Sequence, residues 1–298
     1  SLERFFNDGA KILDDAAGYL FLYLLAWLLV LGGLYFTVRT GFVQLRLFPY
    51  MVRAITSSRD SKEGGISSFQ AFAVGLAARV GTGNIVGVAI AITMGGPGAV
   101  FWMWITAFFG MATKYGEAVL AVKYRVTNEK GEMSGGPMYY IERGLNMKWM
   151  AVLFAAFGVL ASFGIGSSVQ ANSVAQAIQT SFDINPWITG VALTILTGIV
   201  VLGGIQSISK ATSFIVPFMA IVYVVGGLAI IFLHYDKVIP AVELICRSAF
   251  GLDAVVGGAM GTAIRYGVAR GVFSNESGMG SAPIAAAAAK TDHPCRQA

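Results

Sequence analysis

Gly75-Leu76-Ala77-Ala78-Arg79-Val80-Gly81-Thr82-Gly83-Asn84-Ile85-Val86-Gly87 and Gly267-Val268-Ala269-Arg270-Gly271-Val272-Phe273-Ser274-Asn275-Glu276-Ser277-Gly278-Met279-Gly280 both sit inside long apolar stretches. Each places an Ala-Arg step, several glycines and an asparagine within a length that otherwise reads as a membrane crossing. Glycine in a helix interior permits unwinding, which releases N–H groups at one half-helix and carbonyls at the other. The competing reading is that the glycines only allow helices to pack closely. Two such segments, 191 residues apart between Arg79 and Arg270, point to broken helices.

The surrounding chain supports a membrane setting. Of its 298 residues 56% are hydrophobic and 12% charged, against about a quarter charged in ordinary soluble domains. The net charge of +5 is spread over segments between apolar runs rather than over one basic face, so nucleic-acid binding is excluded. Cys246 and Cys295 are the only cysteines and His234 and His293 are far apart. A disulfide scaffold and a metal cluster are therefore not expected, and the cysteines read as inert.

A crossing helix needs roughly 20 mainly apolar residues. The charge-free runs give seven spans, near 16–38, 68–94, 99–122, 150–176, 187–206, 212–233 and 254–289, with a turn at Gly95-Gly96-Pro97-Gly98 separating the second from the third. Thirteen Lys and Arg fall after the odd-numbered spans and four on the opposite side. Short basic loops stay cytoplasmic, so the amino terminus is expected outside, in a multi-pass protein of the plasma (inner) membrane. Residues 1–15 read as an interfacial segment, 39–67 as a cytoplasmic basic linker and 234–252 as an external connection. By this topology the two broken spans run in opposite directions, the signature of an inverted repeat. In transporters of that design, half-helix N-termini hold an anionic group and unwound carbonyls coordinate a cation.

Arg79 and Arg270 are costly in hydrocarbon and must face protein or a cavity; a functional role and a structural ion pair involving Glu276 stay equally open. Lys114 and Glu117 read as an i,i+3 helix-surface pair. In the fourth span Phe163, Gly166 and Gln170 share a helical face by i,i+3,i+7 spacing. The Gln170 amide can accept from an ammonium and donate to a carboxylate, and Ser167 and Ser168 are weaker candidates.

Gly81-Thr82-Gly83-Asn84, Gly95-Gly96-Pro97-Gly98-Ala99-Val100-Phe101-Trp102-Met103-Trp104 and Thr113-Lys114-Tyr115-Gly116-Glu117 resemble the alanine/glycine:cation symporter family. The likeness continues through Gly135-Gly136-Pro137-Met138-Tyr139-Tyr140-Ile141-Glu142, Ser162-Phe163-Gly164-Ile165-Gly166, Ile264-Arg265-Tyr266-Gly267-Val268-Ala269-Arg270-Gly271, Phe273-Ser274-Asn275-Glu276 and Gly278-Met279-Gly280-Ser281-Ala282-Pro283-Ile284. It runs from about residue 33 to the end.

The resemblance implies an all-α membrane protein with a LeuT-type inverted-repeat core of five-helix repeats and one extra N-terminal helix (16–38). It also implies a carrier that moves a small neutral amino acid, alanine or glycine, inward with sodium, or less often a proton. Spans two to six (68–233) would form the first repeat, and 253–298 the first broken helix of an incomplete second repeat, as expected of a trimmed chain that begins at Ser1. Thr82, Gly83, Asn84, Gln170, Ser274, Asn275, Gly278 and Gly280 would face the substrate, with Phe163 and Met279 closing the pocket. Gly81 and Asn84 are the residues expected at sodium, the coupling ion; no organic cofactor is implied.

Two other classes compete. A channel would need a continuous polar pore, and no ring of acidic residues or repeated filter is visible. An intramembrane enzyme would need a matched nucleophile and base; Ser274 and Glu276 are near in sequence, but neither histidine falls in a break. The expectation is a carrier and not an enzyme.

Overall fold

A computed structural model describes residues 8, 11–12, 15–16, 18–57, 67–129, 131–251, 258–289, 291 and 293–298. In chain order these form α1 (Ala26–Arg39, entered through a π-helical turn at Phe21–Leu25), α2 (Val43–Arg46), α3 (Phe48–Ser57), α4 (Ser68–Arg79), α5 (Thr82–Gly95) and α6 (Gly98–Lys123). A two-stranded antiparallel hairpin follows, β1 (Val126–Thr127) paired with β2 (Met133–Ser134), and then α7 (Pro137–Leu145) and α8 (Lys148–Ala161). After a π-helical segment at Ser162–Ser168 come α9 (Val169–Phe182), α10 (Pro186–Leu202), α11 (Gly204–Leu233), α12 (Val238–Ala249), α13 (Gly258–Asn275), α14 (Ser281–Ala287) and α15 (Pro294–Gln297).

Local chemistry sets the helix ends. Ser67 and Gln70 start α4 with a reciprocal cap: the Gln70 amide donates to Ser67 Oγ (3.1 Å) and the Ser67 amide to Gln70 Oε1 (2.8 Å), satisfying two otherwise orphaned donors. Pro137 and Pro186 open α7 and α10, where a missing N–H costs nothing. Between α5 and α6 the chain turns at Gly96, with φ +75°.

The predicted crossings are met unevenly. Among the described residues three helical stretches are long and apolar enough to cross a membrane: Gly18–Arg39, Lys148–Phe182 and Gly204–Leu233; Asn84–Gly95 and Pro186–Leu202 are shorter apolar helices. The span read at 68–94 is two helices, α4 and α5, and that read at 254–289 is α13 followed by α14. The stretch read only as a basic linker contains α2 and α3, and the external connection contains α12. In α3, Phe48, Met51 and Val52 recur at i,i+3,i+4, which is enough to organise a short helix. The interfacial segment 1–15 falls almost wholly outside the described residues.

The chain divides into two compact units. One holds Ser1–Arg46, Gly87–Thr113 and Tyr235–Gly278. Its core is built by close approach of α6 and α13. A Cβ on Gly267 would lie 2.5 Å from the Ala99 carbonyl oxygen and 2.6 Å from Trp102 Cβ, and one on Gly271 would lie 3.0 Å from Thr106 Cβ. These two glycines, one helical turn apart, therefore serve packing, as small residues do between membrane helices. Trp102 donates its indole N–H to the Ala249 carbonyl at 3.1 Å and lies edge-on to Phe250, fixing the end of α12. Ala26, Val268 and Val272 form a second cluster where α1 meets α13.

The other unit holds Leu47–Val86, Lys114–His234 and Met279–Ala298. In it α4 packs along α11 and against α14, and Ala71 and Ala289 are buried together beside Ile205. The division falls within α5, between Val86 and Gly87, and within the second interruption, between Gly278 and Met279.

Candidate functional site

The first interruption is short. α4 ends at Arg79, Val80 takes ψ +70°, and α5 resumes at Thr82. The Gly81 carbonyl accepts the amides of Asn84 (3.1 Å) and Ile85 (3.3 Å), making Gly81 the entry to α5. The carbonyls left without intrahelical donors at a helix end are those of its last turn, here the end of α4 beside Gly81. Gly83 lies in the first turn of α5, so helical backbone stands where unwinding was expected. The side chains of Thr82 and Arg79 lie outside the described residues.

Gln170, near the start of α9, comes to this interruption. A Cβ on Gly81 would lie 3.4 Å from its Oε1 and 3.5 Å from its Nε2. The side-chain amide thus stands at van der Waals contact distance from the Gly81 position. The structure therefore brings together two residues, Gly81 and Gln170, selected in the sequence for separate reasons.

Phe163 does not share that face. Ser162–Ser168 is π-helical, with the Val169 amide donating to the Gly164 carbonyl and Ser168 Oγ donating to the Phe163 carbonyl at 2.8 Å. A π turn carries one extra residue, which rotates the preceding side chains by roughly the 100° step of an α-helix. The i,i+3,i+7 register is lost, and Phe163 is 70% exposed.

The second interruption is wider. α13 ends at Asn275, Glu276 has φ +51°, Gly278 φ +82° and Gly280 φ +83°, and α14 begins at Ser281. These left-handed positions require glycine at 278 and 280 for a conformational reason, unlike Gly267 and Gly271. A Cβ on Gly278 would also collide with Leu29 Cδ2, and one on Gly280 would lie 2.6 Å from Phe154 Cζ and 2.8 Å from Pro137 Cγ. Ser274 is 5% exposed, Asn275 is partly buried and Met279 is 39% exposed. Ser277 is buried, with its Oγ 2.7 Å from where a Cβ of Gly110 would stand.

Lys114 and Glu117 are not a surface pair. Glu117 is 9% exposed, the ammonium-to-carboxylate distance is 3.9 Å, and burial with the nearby Glu117 carboxylate raises the Tyr140 phenol above its ordinary range. Among the described residues no group of three His, Cys, Asp or Glu is placed to hold a metal ion. An open cavity of about 400 Å³ lies within the second unit, lined by Ser67, Phe69, Gln70, Ser213 and Pro217; it contains none of the residues singled out in the sequence.

Comparison with known proteins gives the chain its relatives. It is 56% identical over 277 residues to the sodium/alanine symporter AgcS of Methanococcus maripaludis, covering 91% of this chain and 61% of that protein. It is 47% identical over 265 residues to a putative sodium/proton-dependent alanine carrier of Bacillus subtilis, YrbD, covering 89% of this chain and 54% of that protein. With the probable sodium/glutamine symporter GlnT of the same bacterium it shares 46% identity over 276 residues, 92% of this chain and 57% of that protein. The chain thus spans less than two thirds of the length of these relatives. The model of the sodium:alanine symporter family matches residues 7–298, and with the resemblance in the glycine-rich breaks this establishes that the chain belongs to that family.

Proposed function

We propose that the protein to which this chain belongs is a secondary active symporter that moves a small neutral amino acid, alanine or glycine, inward with sodium. The observation that carries the reading is the pair of interrupted helices, α4–α5 and α13–α14, in a chain of this family. In this reading the fold is of the LeuT type, with α1 outside the repeat and the second repeat incomplete here. The Gln170 amide beside Gly81 suits a zwitterion, since one side-chain amide both donates and accepts. Thr82, Gly83, Asn84, Ser274, Asn275, Gly278, Met279 and Gly280 are the substrate-side candidates at the two breaks, and Gly81 and Asn84 are the candidates for sodium. Proton coupling is the second reading, favoured by the naming of YrbD as a sodium/proton-dependent carrier.

Labelled alanine should accumulate in proteoliposomes of the full-length protein when sodium is imposed outside, and not when potassium replaces it. Accumulation indifferent to sodium and abolished by a proton uncoupler would establish the second reading; ohmic current without accumulation would establish a channel.

In this reading the charge asymmetry favours an amino terminus on the external side of the plasma (inner) membrane. A cysteine at position 7, in place of Asn7 in a cysteine-free background, should react with an impermeant maleimide added externally. Labelling only after permeabilisation reverses the topology.

A further inference from the structure

We infer that Arg125 is a positioning residue of the transport cycle, its guanidinium latching the carboxyl end of the half-helix α14 to the hairpin that follows α6; this rests on the symport reading above. Arg125 lies two residues past α6 at the entry to β1. Its Nη1 donates to the Ala287 carbonyl at 3.3 Å and, at shorter range, to the Ala289 carbonyl, while Nη2 donates to the Thr291 carbonyl at 3.2 Å. These carbonyls lie at and just beyond the end of α14, where the Ala288 and Ala289 amides bond back to Ala285 and Ala286 at 3.2 Å and the following oxygens have no intrahelical donor. A cation is favoured there by the helix dipole, and the planar fork of arginine reaches several acceptors at once. Burial lowers the Arg125 pKa, but arginine keeps its charge in proteins.

The hairpin is pressed onto the same half-helix. A Cβ on Gly135 would lie 2.6 Å from Ala287 Cβ and 3.1 Å from Arg125 Cβ, and one on Gly136 would lie 2.8 Å from Ile284 Cγ1. Ala287 and Ala289 are fully buried. With 7 residues, α14 is far below the 12–15 or so at which an isolated helix becomes even marginal, so its position is set by what grips its ends. At the amino end that grip is Gly280 against Phe154 and Pro137; at the carboxyl end it is Arg125. A side chain holding the inner end of an interrupted helix, with no substrate candidate in contact with it among the described residues, acts on the movement of that helix rather than on ligand affinity.

The test uses the full-length protein. R125Q should lower the maximal rate of sodium-driven alanine uptake by about tenfold or more while the sodium-dependent alanine affinity stays within about threefold of the parent. Backbone amides of residues 284–291 should exchange with deuterium about tenfold faster in R125Q than in the parent. R125K, a single point charge, should fall between. Gly135→Ala keeps Arg125 and displaces α14 directly; it should show the same rate-without-affinity split even where R125Q folds poorly. An unchanged maximal rate, an affinity loss as large as the rate loss, or equal exchange in R125Q and parent each overturns the role of Arg125. Lack of uptake by the parent itself overturns the symport reading, and is seen separately from the exchange comparison.

Discussion

Gly280→Val in the full-length protein should abolish sodium-driven alanine uptake, whereas Gly158→Val should leave it close to the parent. Gly280 has φ +83°, a conformation that costs an L-residue about 1–2 kcal/mol and a β-branched one at least that much. A side chain there would also press on the Phe154 ring and Pro137, and overpacking of this kind typically costs about 1–3 kcal/mol. Both effects fall on the segment that joins the two halves of the second interrupted helix, so the halves must shift or the turn must rebuild. Gly158 lies within α8 with no heavy atom within 4 Å of its would-be Cβ. Valine there meets open space in a helical backbone, where it is no worse than glycine. Uptake by Gly280→Val equal to that of Gly158→Val would show that the second interruption plays no part in transport.

Gln170→Leu should weaken sodium-dependent alanine binding by about 1–3 kcal/mol, the usual consequence of leaving a buried polar partner unmatched. That corresponds to about 5- to 150-fold in affinity. The shape change is small, so helix α9 and the folded yield should be preserved. The contact distance between the amide and the Gly81 position ties Gln170 to the first interruption. Equal affinity in Gln170→Leu and parent would move the substrate away from that break.

The two interruptions were legible before the structure because glycine, asparagine and arginine have no business in a lipid-facing helix. Sequence could not sort the glycines. Gly267 and Gly271 sit in regular helix and admit α6, while Gly278 and Gly280 hold left-handed turns; residue type is identical and only φ and the facing atoms differ. Nor could it show the π turn at Ser162–Ser168, whose residues fit a 3.6 period equally well and whose extra residue removes Phe163 from the face of Gln170. The Lys114–Glu117 pair has the spacing of a surface pair, and tertiary packing alone buries it. The charges in α3 and α12 resemble those of loops, although apolar residues recur between them at helical spacing. Arg125 stood in a basic loop with many like it, and its bonds to carbonyls more than 160 residues away belong to the fold rather than to any local pattern.

In the proposed symport, sodium and a small neutral amino acid bind together at the interruption beside Gln170. Calorimetric titration of alanine into the full-length protein across a range of sodium concentrations tests it most directly. The affinity should tighten steadily as sodium rises in the parent, and Gln170→Leu should remain weaker by a similar factor at every sodium concentration. Alanine affinity that is independent of sodium, or that Gln170→Leu leaves unaltered, would contradict joint binding at that interruption.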